Sequence, residues 1–351
     1  AEIALLFGVE GEYDAAAHEV AVRLSERILL NPHTAKRLAR TLRETIEAHE
    51  ARYGPPSPPS PPRSAAHPIS MDELLPGAPT PEAIGYADTL LQAVRDLGVD
   101  FGLEHSFKLS RSSLLENRFL VSLAKRTIAR QPEERILRLC RLLGMPERLL
   151  EAFAAKLPSA NYIHAGFEEG ARHALYKLYL EFWTDWEREI VGQPTRSEPF
   201  VLHLGFKWDP ADHARQAVST YTCHPRISLE RIRERVAELF DPDGGRGGLE
   251  ATQELLTKAS AAVGREQILY LEVAEAGNPR RSFDINFYKA RLPLRELGEP
   301  LRHACREYGV PAERFERLYA RAKGEQFGHV SGGIDRAGQG FLTVYYGMRG
   351  Y

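Results

Sequence analysis

The sequence predicts an α+β fold in which ten antiparallel strands, arranged as five hairpins, close into a barrel with a polar lumen inside a ring of helices. Three observations lead there. Paired runs with two-residue alternation recur five times between helical stretches, each pair split by a polar turn. Within a run, one face is apolar and the other carries charge, amide or phenol. The intervening helices are amphipathic and so need an apolar surface to cover.

The chain has 351 residues, 43% of them apolar, which is enough for a large core over most of the length. The 46 basic residues nearly balance the 48 acidic ones, for a net charge of −2. That excludes a global basic field able to recruit nucleic acid or an anionic membrane. No apolar run reaches the ~18 residues of a membrane span, and the N-terminus lacks the charged-then-apolar layout of a signal peptide. Cys140, Cys223 and Cys305 are widely spaced and odd in number, which argues against a disulfide framework. A reducing, cytoplasmic setting is the expectation.

Three segments are expected: an N-terminal helical segment over 1–54, a linker over 55–70 and the barrel over 71–351. Residues 14–53 read as helices, with Leu38, Leu42 and Ile46 every fourth position among Lys36, Arg37, Arg40, Arg43 and Glu44. The tract from Pro55 to Pro62 carries six prolines and two serines and reads as a polyproline tether. Beyond it, helices are predicted at 81–97, 131–155, 228–240, 250–263, 294–308 and 312–323. The hairpins fall at 100–109 with 114–124, 161–167 with 173–183, 200–208 with 216–224, 267–274 with 282–290, and 326–334 with 340–348.

The alternation assigns faces. Tyr176, Leu178, Leu180 and Phe182 oppose Leu175, Lys177, Tyr179 and Glu181, while Phe283, Ile285 and Phe287 oppose Asp284, Asn286 and Tyr288. Leu342, Val344 and Tyr346 oppose Thr343 and Tyr345, and Phe119, Val121 and Leu123 oppose Arg118, Leu120 and Ser122. An open sheet with its polar face in water would also show this pattern. Helices covering the apolar faces favour closure, which turns the polar faces inward around a lumen wide enough for ligands.

Several chemistries lack their motifs. There is no GxxxxGK[ST], and Gly244–Gly248 reads as a loop. There is no HExxH, Cys/His cluster, GxSxG elbow or DDxxD pattern. His164, His173 and His329 fall in or beside strands and read as structural.

The remaining signal is the first hairpin, Gly102-Leu103-Glu104-His105-Ser106-Phe107-Lys108-Leu109 followed by Leu115-Glu116-Asn117-Arg118-Phe119-Leu120. With Ala165-Gly166-Phe167 and Leu175-Tyr176-Lys177-Leu178-Tyr179 of the second, it resembles the ABBA prenyltransferases, most closely the cyanobactin-type peptide prenyltransferases. The resemblance spans roughly residues 80–351. Ser219 departs from it where the wider fold often carries a second Lys, and Glu181 stands where a basic residue can occur. Both departures thin the expected positive charge.

The resemblance implies a prenyl diphosphate donor, dimethylallyl or longer, and a nucleophilic acceptor, either a side chain of a ribosomal, cyclic or linear peptide or a small aromatic molecule. A non-catalytic barrel for a lipophilic ligand is the alternative outside enzymology. Glu104 would be the general base. Arg118 and Lys177 would bind diphosphate, with Tyr179, Tyr221, Asn286, Tyr288 and Tyr345 completing the donor site and the phenol rings shielding the allyl cation. Each has a structural counter-reading. Arg118 can pair with Glu116 or Glu104, Lys177 can be neutralised by Glu181, and Asn286 can bond to backbone. No organic cofactor is implied, and magnesium can ride on the diphosphate.

Overall fold

The computed structural model describes residues 3–14, 19–53, 69–171, 173–183, 198–240, 246–263 and 268–351. The chain divides into two compact units, Ala1–Pro68 and Ile69–Tyr351. In the first, β1 (Ile3–Asp14) pairs antiparallel with β2 (Glu19–Leu30), and the helix Pro32–Tyr53 follows. This corrects the helical reading of 14–30. Val20, Val22 and Leu24 alternate with Glu19, Ala21 and Arg23, a two-residue period that suits a strand. The proline tract lies outside the described residues.

In the second unit β3 (Gly102–Ser110), β4 (Ser113–Leu115) and β5 (Arg118–Ala124) form the first hairpin, its second strand interrupted at Glu116-Asn117. Then come β6 (Tyr162–Glu169) with β7 (Ala174–Glu181), β8 (Phe200–Trp208) with β9 (Gln216–Cys223), and β10 (Leu269–Glu275) with β11 (Arg281–Asn286). The last pair is β12 (Phe327–Ile334) with β13 (Gly340–Gly350). Every neighbouring pair is antiparallel, and β13 returns to β3, from Phe341 opposite Ser110 to Gly350 opposite Gly102. With β4 and β5 counted as one interrupted strand, the result is a closed barrel of ten antiparallel strands, as the alternation predicts.

The outward faces are mostly apolar and covered; the β8–β10 sector is the exception, with Val201 exposed beside Thr222 and Glu272. Tyr176, Leu178, Leu180 and Phe182 pack with Leu90, Leu91, Val94 and Phe153, while Phe283, Ile285, Leu342 and Val344 pack with Leu255, Leu301 and Leu318. These helical residues belong to Pro81–Arg95, Glu147–Lys156, Arg246–Ser260, Gly298–Glu307 and Ala312–Ala322. Among the described residues no helix is long and apolar enough to cross a membrane. The three cysteines are free and buried, and burial pushes each thiol up to about 12.

Trp208 anchors one sector of this outer core. It is fully buried, its ring lies 5.7 Å from that of Tyr176, and its Nε1 donates to the Leu143 carbonyl at 3.0 Å. Trp208→Ala is expected to cost about 3–5 kcal/mol. A urea titration would read this as a lower midpoint with an unchanged slope.

Candidate active site in the barrel lumen

Because side chains alternate along each strand, the inward set of all five hairpins converges on one cavity. The space within it, open solvent at its mouth included, is about 1010 Å³. Glu104, Arg118, Lys177, Tyr179, Tyr221, Asn286, Tyr288 and Tyr345 all line it. The residues named from sequence therefore share one chamber, but they divide into two groups along its length.

Toward the hairpin tips the lumen is basic. Arg118, 4% exposed, reaches Glu168 at 3.1 Å and Thr343 Oγ1 at 3.4 Å. Lys177 bonds to the same Glu168 carboxylate oxygen. Burial alone would raise the Glu168 carboxyl, but Arg118, Lys177 and Lys108 hold it well below the usual carboxylate range. Burial pushes Lys177 down to about 7, with Glu168 opposing and Arg118 assisting the shift. The ion pairs weighed as structural alternatives are thus replaced by others. Arg118 and Lys177 share Glu168, Glu116 faces Arg314 and Arg321 instead, and Glu181 binds histidine.

A second buried carboxylate, Glu275, gathers Lys207 at 3.2 Å, Arg280 at 3.3 Å and Arg336 at 2.5 Å, and accepts from Ser219 at 2.6 Å. The expectation that Ser219 thins the positive charge is therefore corrected. Lys207 stands opposite Lys177 in the β7–β8 ladder. Lys108 and Arg280 lie over the Phe341 ring, at 4.7 and 5.6 Å from its centroid. Burial, with Arg280 assisting, lowers Lys207 well below its ordinary value.

Next along the strands come three tyrosines. The Tyr179 and Tyr221 rings meet edge to face at 5.8 Å, in the space that glycine leaves at 205, where a Cβ would lie 2.8 Å from Tyr179 Cε1. Tyr345 stacks on His329, 3.8 Å between centroids and 11° between planes. Burial pushes the Tyr221 phenol up to about 12 and raises Tyr179 and Tyr345 as well, so all three present neutral rings at physiological pH.

Beyond them, on the side away from the tips, lies a carboxylate–imidazole group. Glu104 is 1% exposed; its Oε2 is 3.4 Å from His329 Nε2, while its buried Oε1 has no partner among the described residues. His329 Nδ1 is 2.8 Å from Asp284 Oδ1. Burial opposes a charge on His329, yet Asp284 and Glu104 raise it to about 10, so it stands as an imidazolium. His329 was read as structural; the same period-two parity that places Tyr345 inward places it inward too. His164 is inward as well, within 2.7 Å of both Ser122 Oγ and Glu181 Oε2.

Asn286 and Tyr288 belong to this second group, not to the basic one. Asn286 pairs with His329 across the β11–β12 ladder, and its Oδ1 accepts from the Tyr288 amide at 3.1 Å. Tyr288 sits in a short turn, Tyr288–Ala290, past the end of β11, where the predicted strand would have continued. Its ring occupies the place a Cβ at Gly328 would take, and is 6.0 Å from that of His329. Their expected part in diphosphate binding is not what their position favours.

Residues 1–58 match a family described as a protein of unknown function (DUF3467). No curated protein matches the chain by sequence. Among solved structures the chain is similar to 5-dimethylallyltryptophan synthase from Streptomyces coelicolor, at 15% identity over 77% of this chain and 92% of that one, with a TM-score of 0.49. Prenyltransferase PriB, solved with L-tryptophan and dimethylallyl thiolodiphosphate, aligns at 14% identity over 79% of this chain and 92% of its own, TM-score 0.49. For 6-dimethylallyltryptophan synthase from Micromonospora olivasterospora the values are 14%, 70%, 81% and 0.44.

Proposed function

We propose that the lumen transfers an isoprenyl group from an allylic diphosphate to a small aromatic acceptor. One observation carries this reading: a single cavity presents, in order, a basic end, a collar of neutral tyrosines and a buried carboxylate oxygen without a partner. That order matches the charges of the reaction. The allylic C–O bond breaks and its electron pair leaves with pyrophosphate, which Arg118 and Lys177 receive, Arg in a fork and Lys as a point charge. The allyl cation lies against ring faces worth roughly 0.5–2 kcal/mol each, which also exclude the water that would quench it. The acceptor's π pair forms the new bond, and the proton displaced from the ring passes to Glu104 Oε1.

Magnesium, when present, would travel on the phosphate oxygens. Among the described residues no group of three His, Cys, Asp or Glu side chains converges on a metal position.

A peptide acceptor, expected from the first two hairpins, gains no support from any feature of the lumen. Two of the similar barrels are by name dimethylallyltryptophan synthases, the third is a prenyltransferase, and two of the three were solved with tryptophan. Incubation with dimethylallyl diphosphate and a panel of indoles, phenols and short peptides, read by mass spectrometry, is expected to add one isoprenyl unit to an indole or phenol. Transfer confined to peptides would restore the earlier expectation, and transfer to none would leave a binding protein.

A further inference from the structure

The half of the lumen away from the hairpin tips holds three carboxylates, Glu104, Glu181 and Asp284, with His329 between Glu104 and Asp284 and His164 beside Glu181. The mechanism uses Glu104, and His329 and Asp284 stand behind it. Glu181 is left over. It lies on β7, whereas Glu104, Asp284 and His329 lie on β3, β11 and β12, so it faces them from another wall. Its carboxylate meets His164 at 2.7 Å and His203 at 3.6 Å, both through Oε2. Burial pushes His203 down to about 4, with Glu181 opposing, so this imidazole does not cancel the negative charge. Asp284 and His329 both act electrostatically on His203, which sets the two walls within range of each other.

The basic end repeats this arrangement with opposite sign. Lys177 and Glu181 are four residues apart on one strand face, about 13 Å along β7. A ligand pair filling the lumen meets cations at one end and carboxylates at the other. One oxygen at the acidic end awaits a donor: Glu104 Oε1 is buried and has no partner among the described residues, while the Glu181 contacts to His164 and His203 run through its Oε2. Trp183, Leu269 and Leu271 supply apolar wall beside these carboxylates.

We infer that this half of the lumen selects an aromatic acceptor that carries a protonated amine and no carboxylate, with Glu181 as the partner of the ammonium and Glu104 facing the reacting ring. The inference rests on the prenyl-transfer reading and names the acceptor class within it. An ammonium donates charge-assisted hydrogen bonds to Glu181 and relieves the repulsion among the three carboxylates. An acceptor carboxylate would add a fourth negative charge in a poorly hydrated space.

The test is calorimetry on the full chain saturated with inorganic pyrophosphate, which needs no turnover. An arylethylamine and its arylpropionate counterpart are titrated in both the indole and phenol series near neutral pH. The amine is expected to bind at least about tenfold more tightly, the scale of one hydrogen bond to a charged group. Glu181→Gln is expected to shrink that gap by about the same factor. Equal affinities, or tighter binding of the carboxylate by the unmodified chain, overturn the inference without recourse to any variant. A folded Glu181→Gln protein that keeps the full gap overturns the assignment to Glu181. An amine preference without turnover would sink prenyl transfer and uphold the acidic subsite; turnover without the preference would do the reverse.

Discussion

Glu104→Gln is expected to lower turnover with an aromatic acceptor by about 10²–10⁴-fold, the usual contribution of a positioned general base. Pyrophosphate affinity should stay within about a factor of three, because Glu104 sits with His329 at the end of the lumen away from Arg118 and Lys177. The amide keeps the size of the carboxylate and can still accept from His329, so loss of packing does not explain the effect. What is lost is the basicity of an oxygen that is buried and otherwise unpartnered. Single-turnover rates, with pyrophosphate binding measured separately, check both halves. Unchanged turnover would remove Glu104 from the reaction. A protein that binds donor and never turns over would have no rate for the substitution to lower, which separates a catalyst from a lipophilic-ligand barrel.

Lys177→Met is expected to weaken pyrophosphate binding by about 10–100-fold, the scale of a lost charge-assisted hydrogen bond. The pH dependence carries its signature. In the free protein burial holds Lys177 at about 7, far below an ordinary lysine. The anion prefers the ammonium form, so binding raises this value. The contribution of Lys177 to binding is therefore complete below about pH 7 and is lost as the pH climbs through the higher value of the complex. Pyrophosphate itself titrates in this range, but that part is common to both proteins. The ratio of wild-type to Lys177→Met affinities should fall as the pH rises above 7, and a flat ratio would place the phosphate elsewhere.

Most of the barrel was legible because its strands bury one face under helices and the other in a polar lumen. Two-residue alternation then reports both faces without knowledge of the partners. The site was less legible, for a reason of strand length. The first strand of the second hairpin was expected to end at residue 167 and that of the fourth at 274; the strands run to Glu169 and Glu275. Glu168 and Glu275, the two carboxylates that organise the basic end, thus lay one residue beyond the predicted ends. Lys207 carried the same inward parity as Lys177's hairpin would suggest and could have been found from it, since it faces Lys177 across one ladder. Arg280 and Arg336 could not, because they reach Glu275 from turns, where alternation has no meaning. Partner choice was the other gap. Charge and spacing suggested Lys177 with Glu181, but four residues along a strand is about 13 Å, too far for a direct pair. Glu168, two strands of one hairpin closing on each other, is in reach. In the N-terminal unit the heptad-like spacing of Leu38, Leu42 and Ile46 belongs to a real helix, and extending it backward overran the strand Glu19–Leu30.

The seam between β13 and β3 has a consequence for how the molecule comes into being. Strands that neighbour each other in space there are as far apart in the chain as Ser110 and Phe341. On a ribosome the first hairpin emerges long before its last neighbour exists, and the ring of hydrogen bonds stays open until β13 is made. Contacts of such high sequence separation slow folding, and an open strand edge is exposed to pairing with other chains in the meantime. The helices that follow the first, third and fourth hairpins are made earlier and can shield the apolar faces as they appear, but nothing except β13 can occupy the free edge of β3. Synthesis of β13, rather than formation of any one hairpin, therefore decides when the strands can enclose the lumen.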